Sequence, residues 1–503
     1  MATPAANAPL AGAADPAPRA PAEARNGVRA VTLGARVAQQ IEDRIVRAGW
    51  PVGRNLGSEH DLQERYGVSK SVLREAVRLV EHHGAARMRR GPGGGLFVTA
   101  PDVAPAARAV VTYLDYAGTT VDDLVDARLL LETRAVMLAS ERLTEEGVGL
   151  LRSLLEQEAR RRTEPGLWSQ DLVHTALCEL SGNPALLAFT EVLTRLTDRY
   201  AHTVRRTSKA EATRNKELAG RSHEVIVEAV VAGDTARAYA ELTGHLRGAA
   251  AWMKGGRAGA GGPIAWQLLE APGAKLSEIV AARVQDTIAA DGWPVGASLG
   301  SEAELLERYG IGRAVLREAV RLLEHHGVAR MRRGPGGGLL VTAPDPAASI
   351  DSMALYLGYR RAGAEHLRAV REAIEFGALG PVTARHGEPG IAERLEAAVR
   401  GRASGRASGG DGLPPATFHD ELVHLAGNPV LSLFVRILAE LRNRQDGAPH
   451  TGPAARTPAD PAASGRAAGR ERAHREIVAA ILAGDESLAR HRMRRDLAEC
   501  DDW

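Results

Sequence analysis

Cysteine is nearly absent from this 503-residue chain, with Cys178 and Cys500 the only two. That excludes a disulfide framework and a CxxC metal site, and it suits a reducing cytosol. Aromatic residues make up 4%, too few for a platform that stacks single-stranded nucleic acid. No apolar run approaches the ~20 residues of a membrane span. No hydrophobic stretch follows a basic start at the N-terminus, as a signal peptide requires. A cytoplasmic protein with no membrane partner is expected. Charge of one sign is lacking too: 64 Lys and Arg against 62 Asp and Glu leave a net +2. A polycationic tail is thereby excluded, and any nucleic-acid surface has to be a local patch. What remains is an ordinary globular composition, with 44% hydrophobic and 25% charged residues, in a chain long enough for roughly three to four domains.

The chain repeats itself. Residues 50–102 and 293–345 match without a gap at about 41 of 53 positions, far too long a period for a solenoid. Weaker echoes follow: LSGNPALLAF (180–189) against LAGNPVLSLF (425–434), and SHEVIVEAVVAGD (222–234) against AHREIVAAILAGD (473–485). The repeated unit therefore holds two domains, one well matched and one diverged. The expected layout is a disordered Ala/Pro-rich tail (1–30), domains at 31–102 and 103–252, a Gly-rich linker (253–275), and domains at 276–345 and 346–503. Stretches 400–416 and 445–470 read as loose loops.

In the matched domain, Leu33, Val37, Ile41 and Ile45 recur at helical spacing. Ser58 is placed to cap a second helix over 59–65, Gly67 ends it, and Ser69 caps a third over about 70–82. Helix, tight Gly turn, helix is the helix-turn-helix arrangement. ARMRR (86–90), GPGGG (91–95) and LFVTA (96–100) then read as strand, loop and strand, a wing. GPGGG has no following Lys-Ser/Thr and no strand-to-helix context, so it is not a phosphate-cradling loop. The start of a recognition helix faces base edges in the major groove. There the first copy carries Ser69, Lys70, Ser71 and Arg74, and the second Gly312, Arg313, Ala314 and Arg317. Arg suits guanine; Ser and backbone N–H groups suit phosphate. The wings add Arg87, Arg89 and Arg90, and Arg330, Arg332 and Arg333. His82, His83, His325 and His326 read as helix C-terminal residues.

These motifs resemble the winged helix-turn-helix of GntR-type transcriptional regulators, and the helical partner domain resembles the FCD effector domain of the FadR-like subfamily. The resemblance covers nearly the whole chain, twice. It implies DNA contacts at Ser69, Lys70, Arg74, Arg90 and Gly91, and at Gly312, Arg313, Arg317, Arg333 and Gly334. An Arg that family members often carry in the second helix is replaced here by His60 and Ala303.

Residues 103–250 read as a helical bundle, a common setting for a ligand site. The fold class is thus mainly α: two winged helix-turn-helix domains, each followed by an all-α bundle. His174, His223 and His245 lie on separate expected helices, where imidazoles can converge on Zn, Ni or Mn, although scattered histidines are more often surface or core residues. The resemblance to FCD domains implies a metal held by three His and an Asp one turn before the first. The three His match; the Asp position is Gln170, with Asp171 beside it, so Asp171, Gln170 or water completes the expected set. The second copy offers a weaker set, His419, His474 and Asp496, with Pro415 at the Asp position. Arg128 with Glu132, and Arg371 with Glu375, are either plain i, i+4 ion pairs or Arg clamps for an effector carboxylate.

The expected protein is a non-enzymatic, sequence-specific regulator, a repressor rather than an activator, that binds double-stranded operator DNA and answers a small carboxylate. The duplication suggests an intrachain pseudo-dimer, with further homodimerisation left open. The alternatives are a metal-dependent enzyme using the three-His set and a nonspecific architectural DNA binder, against which the near-neutral charge argues.

Overall fold

The computed structural model describes residues 33–91, 93–162, 172–207, 209–257, 276–332, 334, 337–401, 417–445 and 461–499. The expected tail and residues 258–275 of the expected linker lie outside them.

The first head comprises α1 (Leu33–Arg47), α2 (Glu59–Tyr66), α3 (Lys70–His82), β1 (Ala86–Arg89) and β2 (Gly95–Val98). Val37, Ile41 and Ile45 fall on one buried stripe of α1 and meet Leu73, Ala76, Val77 and Val80 of α3. Ser58 and Asp61 form a reciprocal capping box on α2, which satisfies two orphan helix donors. Gly67 ends α2 at φ 62°, a left-handed turn that glycine adopts without a Cβ clash. The wing strands pair antiparallel, Ala86 opposite Val98 and Arg89 opposite Gly95.

A bundle follows: α4 (Val103–Tyr116), α5 (Val121–Arg142), α6 (Glu145–Arg162), α7 (Leu172–Leu180), α8 (Pro184–Thr207), α9 (Lys209–Val231) and α10 (Thr235–Arg257). Helix α10 runs five residues into the expected linker, carried by the helix formers Met253 and Lys254 and continuing through Gly255 and Gly256 to Arg257. The second copy repeats the order. Its head is α11 (Leu276–Ala290), α12 (Glu302–Tyr309), α13 (Arg313–His325), β3 (Ala329–Arg332) and β4 (Gly338–Val341). Its bundle is α14 (Pro346–Tyr359), α15 (Ala364–Ala384), α16 (Ile391–Val399), α17 (Phe418–Leu425), α18 (Pro429–Gln445), α19 (Pro461–Leu482) and α20 (Glu486–Glu499). Residues 461–470, expected as loop, are helical; Pro461 sits at the first helical position, where its missing N–H costs nothing, and Ala and Arg follow.

The two bundles share one hydrophobic core and face each other through equivalent residues. Phe189 stacks on Phe434 with centroids 4.0 Å apart and planes 6° apart. The Asn183 amide donates to the His366 carbonyl at 2.9 Å, and the matching Asn428 amide donates to the Asp123 carbonyl at 2.9 Å. Each Asn also caps the following helix through its Oδ1, to Ala185 and Leu186 N–H in one copy and Val430 and Leu431 N–H in the other. One side chain thus starts a helix and holds the other bundle. A Cβ on Gly377 of α15 would collide with Leu130 of α5, so glycine is what lets these two helices approach. Such reciprocal contact is an isologous interface built within one chain.

The heads are crossed. Trp50 of the first head packs on Tyr359 of the second bundle at 5.3 Å, and Trp293 of the second head packs on Tyr116 of the first bundle at 5.7 Å. Both tryptophans have φ near +55°, at 56° and 54°, a sparse conformation for a bulky residue. It is held by indole N–H bonds to the Thr99 carbonyl (2.8 Å) and the Thr342 carbonyl (2.9 Å). Leu355 of α14 completes the first head's core. No helix among the described residues is long and apolar enough to cross a membrane.

Candidate functional site

The recognition helices present the residues expected to face DNA. Ser69, Lys70, Ser71 and Arg74 are exposed at the start of α3, and Gly312, Arg313 and Arg317 at the start of α13. The two starts differ. Ser69 Oγ accepts from Val72 N–H and lies 3.0 Å from Ser71 Oγ, whereas Gly312 makes no side-chain cap. In the first head Glu59 of α2 holds both bases, Lys70 Nζ at 3.3 Å and Arg74 Nε at 3.0 Å. These two cations lower the Glu59 pKa, outweighing the cost of burial.

In the first wing Arg87, Arg89 and Arg90 are exposed, and the Arg89 guanidinium lies 4.5 Å over the Phe97 ring. Leu340 stands at that position in the second wing, where Arg330 and Arg332 are exposed. Gly91 and Gly334 take φ of 102° and 99°, values that a side chain would resist. Arg333 lies outside the described residues.

The three histidines of the first bundle come together. His174 of α7, His223 of α9 and His245 of α10 form one cluster. His174 Nε2 lies 3.1 Å from His223 Nε2 and 3.2 Å from His245 Nε2. Behind them stand two carboxylates. Glu132 Oε2 lies 2.5 Å from His174 Nδ1, and Glu158 Oε2 lies 2.9 Å from His223 Nδ1. A carboxylate only accepts, so both Nδ1 atoms carry hydrogen, and a ring that carries no second proton turns its Nε2 lone pair toward the other. Two lone pairs 3.1 Å apart repel unless a proton or a cation lies between them. With metal–nitrogen bonds of about 2.1 Å, such spacing corresponds to angles of roughly 95–100° at a common metal. The donor set therefore fits a borderline divalent cation such as Zn, Ni or Mn. Asp171, the expected fourth ligand, and Gln170 lie outside the described residues.

Glu132 has a second role. Its Oε1 accepts from Arg128 Nε at 2.5 Å, and Arg128 Nη1 donates to Thr197 Oγ1 of α8 at 3.1 Å. Burial works against the Glu132 carboxylate, but Arg128 and His174 outweigh it and hold the pKa below the ordinary glutamate value. Arg128 is itself buried, at 2% exposure. The expected i, i+4 pair thus stands behind the histidines.

The second bundle brings together His419, His474 and Asp496. Asp496 Oδ2 lies 3.3 Å from His419 Nε2 and 3.5 Å from His474 Nε2. Glu375, paired with Arg371, lies 2.8 Å from His419 Nδ1. Burial opposes the charged imidazole of His419, but Glu375 and Asp496 raise its pKa to about 9. The Asp496 carboxyl is held well below its ordinary range by both histidines, against burial. Phe418 stacks on His474, centroids 4.5 Å apart, where the first bundle has Val173.

The six residues expected on separate helices lie in two clusters; of the carboxylates behind them, the sequence names Glu132 and Glu375 only as partners of Arg128 and Arg371, and Glu158 not at all. Glu158 sits in a helix rich in Glu and Arg, and nothing in its spacing marks it. Glu132 was visible as the partner of Arg128; its bond to His174 joins segments far apart in sequence.

Comparison with known proteins agrees with this architecture. Residues 33–98 and 276–338 match the family described as bacterial regulatory proteins, gntR family, and residues 123–248 and 365–499 match the FCD domain. The chain is 26% identical over 223 residues to the HTH-type transcriptional repressor NanR of Enterobacter sp. (strain 638), covering 44% of this chain and 84% of the relative. The NanR of Salmonella schwarzengrund (strain CVM19633) is 25% identical over 223 residues, again 44% of this chain and 83% of the relative. Among solved structures, Streptococcus agalactiae GntR aligns at a TM-score of 0.33 with 22% identity, over 43% of this chain and 99% of that one. E. coli McbR/YncC aligns at 0.24 with 20% identity, over 45% of this chain and 99% of that one. Helix-turn-helix heads, helical effector bundles and the two family matches lead to one conclusion: the chain belongs to the GntR family of bacterial regulatory proteins, with a GntR helix-turn-helix domain and an FCD domain each present twice, and is a DNA-binding transcriptional regulator.

Proposed function

We propose that this regulator is a repressor in which one chain supplies both DNA-reading heads, and that a divalent cation in the first bundle receives a small carboxylate effector. The contact residues would be Ser69, Lys70, Ser71, Arg74, Arg89, Arg90 and Gly91 in the first head. In the second they would be Gly312, Arg313, Arg317, Arg332, Arg333 and Gly334. Arg fits guanine O6 and N7, and the wing glycines let backbone approach phosphate. Because the heads differ in sequence and capping, the operator is an imperfect palindrome. The relatives' printed description as repressors supports the direction of regulation.

The observation that carries the cation reading is the 3.1 Å approach of His174 and His223 Nε2, with both Nδ1 atoms committed to carboxylates. His174, His223 and His245 would hold the ion, with Asp171 a further ligand. A cation with three nitrogen donors keeps positions free for an oxygen ligand such as a carboxylate. Arg128 then acts as a positioning residue through Glu132 and not as a direct clamp, and Arg371 stands in the same relation to Glu375. Ligand acts by binding one head arrangement more tightly than another. In the second bundle Asp496 takes the place of His245, and Glu375 and Asp496 favour the protonated His419 whose proton a cation would have to displace, so its site is the weaker.

Light scattering of the full chain on its operator tests the first part: one chain per operator is expected, and two chains would overturn it. Zinc titration by calorimetry tests the second. One tight site per chain, lost with His174→Ala, is expected; no binding would refute the cation.

A further inference from the structure

We propose that the cation site of the first bundle is wired to the DNA-reading head of the second copy, through Thr197 and Arg199 on opposite sides of α8. The inference rests on the cation reading above and adds to it which head responds.

The connection is continuous. His174 binds Glu132, Glu132 binds Arg128, and Arg128 donates to Thr197 Oγ1. Two residues on, Arg199 lies on another side of the helix, since residues i and i+2 do not share a face. Its guanidinium lies 2.8 Å from Asp115 of α4 and 3.3 Å from Asp286 of α11, the first helix of the second head. All three side chains are buried, at 5%, 6% and 2% exposure. Helix α4, which carries Asp115, adds two contacts to the same head: the Gln285 amide donates to Thr112 Oγ1 at 3.2 Å, and Trp293 packs on Tyr116. Helix α8 therefore bears on the cation ligands with one side and on the opposite copy's head with the other.

The mirror connection differs at one residue. Arg444 corresponds to Arg199, and it does reach the other head, lying 3.6 Å from Glu42 of α1. Arg442 occupies the place of Thr197. A guanidinium has no acceptor, so the Arg371–Arg442 pair cannot make the hydrogen bond that Arg128 makes to Thr197. The crossed contacts are two, and the Arg-to-Thr hydrogen bond belongs to the first copy alone.

The test is hydrogen exchange on the full chain, stripped with chelator and then given zinc, with calorimetry alongside. Zinc should slow exchange in α11 by roughly fivefold or more, the low end of ordinary coupling, and leave α1 unchanged. Thr197→Val should abolish that response while zinc still binds, and Thr197→Ser, which keeps the hydroxyl, should retain it. Protection of α1 alone, equal protection of both heads, or a response that survives Thr197→Val overturns the crossed wiring. If calorimetry finds no zinc bound, the cation reading fails by itself. The wiring is then decided without metal: Thr197→Val loosening α11 but not α1 upholds it, and no difference between the heads refutes it.

Discussion

Phe189 and Phe434, the same residue in the two copies, stack face to face at 4.0 Å in the middle of the molecule. A residue meeting its own equivalent marks a local twofold axis. Both rings are fully buried, so truncating either leaves a cavity shared by the two bundles. Phe434→Ala should lower unfolding free energy by about 3–5 kcal/mol, read from the denaturant midpoint. Phe434→Leu, which fills most of the volume, should lose much less. A loss below about 1 kcal/mol for the alanine would mean that the bundles do not depend on this contact.

Glu132 orients His174 without touching the proposed cation. Removing such a carboxylate typically costs 10–100-fold in metal affinity. Glu132→Gln should therefore weaken zinc binding by about that factor, measured by calorimetry, with the helical content retained. His174→Ala should abolish binding. Equal zinc affinity in the glutamine variant would show that the carboxylate orients nothing.

Head asymmetry gives a third expectation. Arg74→Ala should cost about 1–3 kcal/mol on one half-site, and Arg317→Ala the same on the other. Lys70→Arg, which makes the first head like the second at that position, should change the preference of one half-site only. Gel shifts on operators with each half-site scrambled read this directly, at one stated salt concentration. Equal effects of Lys70→Arg on both half-sites would remove the basis for an imperfect palindrome.

The second head's attachment should depend on pH. Burial pushes the Asp286 carboxyl up to about 8, with Arg199 pulling it down and Asp115 pushing it up again. The folded chain thus keeps a proton that the unfolded chain has released above the ordinary aspartate value. Stability falls wherever the native state binds more protons, so it declines as pH rises toward about 8. Thermal midpoints of the full chain should drop between neutral pH and this value, and Asp286→Asn should flatten the drop. An identical pH profile in the asparagine variant would exclude Asp286 as its source.

The heads were legible in sequence because local rules decide them. Ser58, Gly67 and Ser69 cap and punctuate the helices wherever the domain sits, and Val37, Ile41 and Ile45 declare a buried stripe by spacing alone. The clustered imidazoles were legible as residue types on separate helices. What could not be read was mutual placement. Asn183 announces a helix cap, and its Oδ1 does that work; nothing nearby says that its Nδ2 reaches the His366 carbonyl in the other copy. Glu158 and Asp286 look like any other acids on charged helices. Their burial, and hence their chemistry, is decided by which helix packs against them.

The Asn183–His366 and Asn428–Asp123 bonds have a physiological consequence. A regulator assembled from separate subunits loses its partner on dilution, so its occupancy of DNA rises steeply with concentration. Here the partner is tethered, and its effective concentration is fixed by the chain and not by expression level. Operator occupancy should follow the number of chains in simple hyperbolic fashion, without a threshold. On the proposed single-chain reading the halves are not exchanged with a sister regulator, so each is free to drift toward its own half-site.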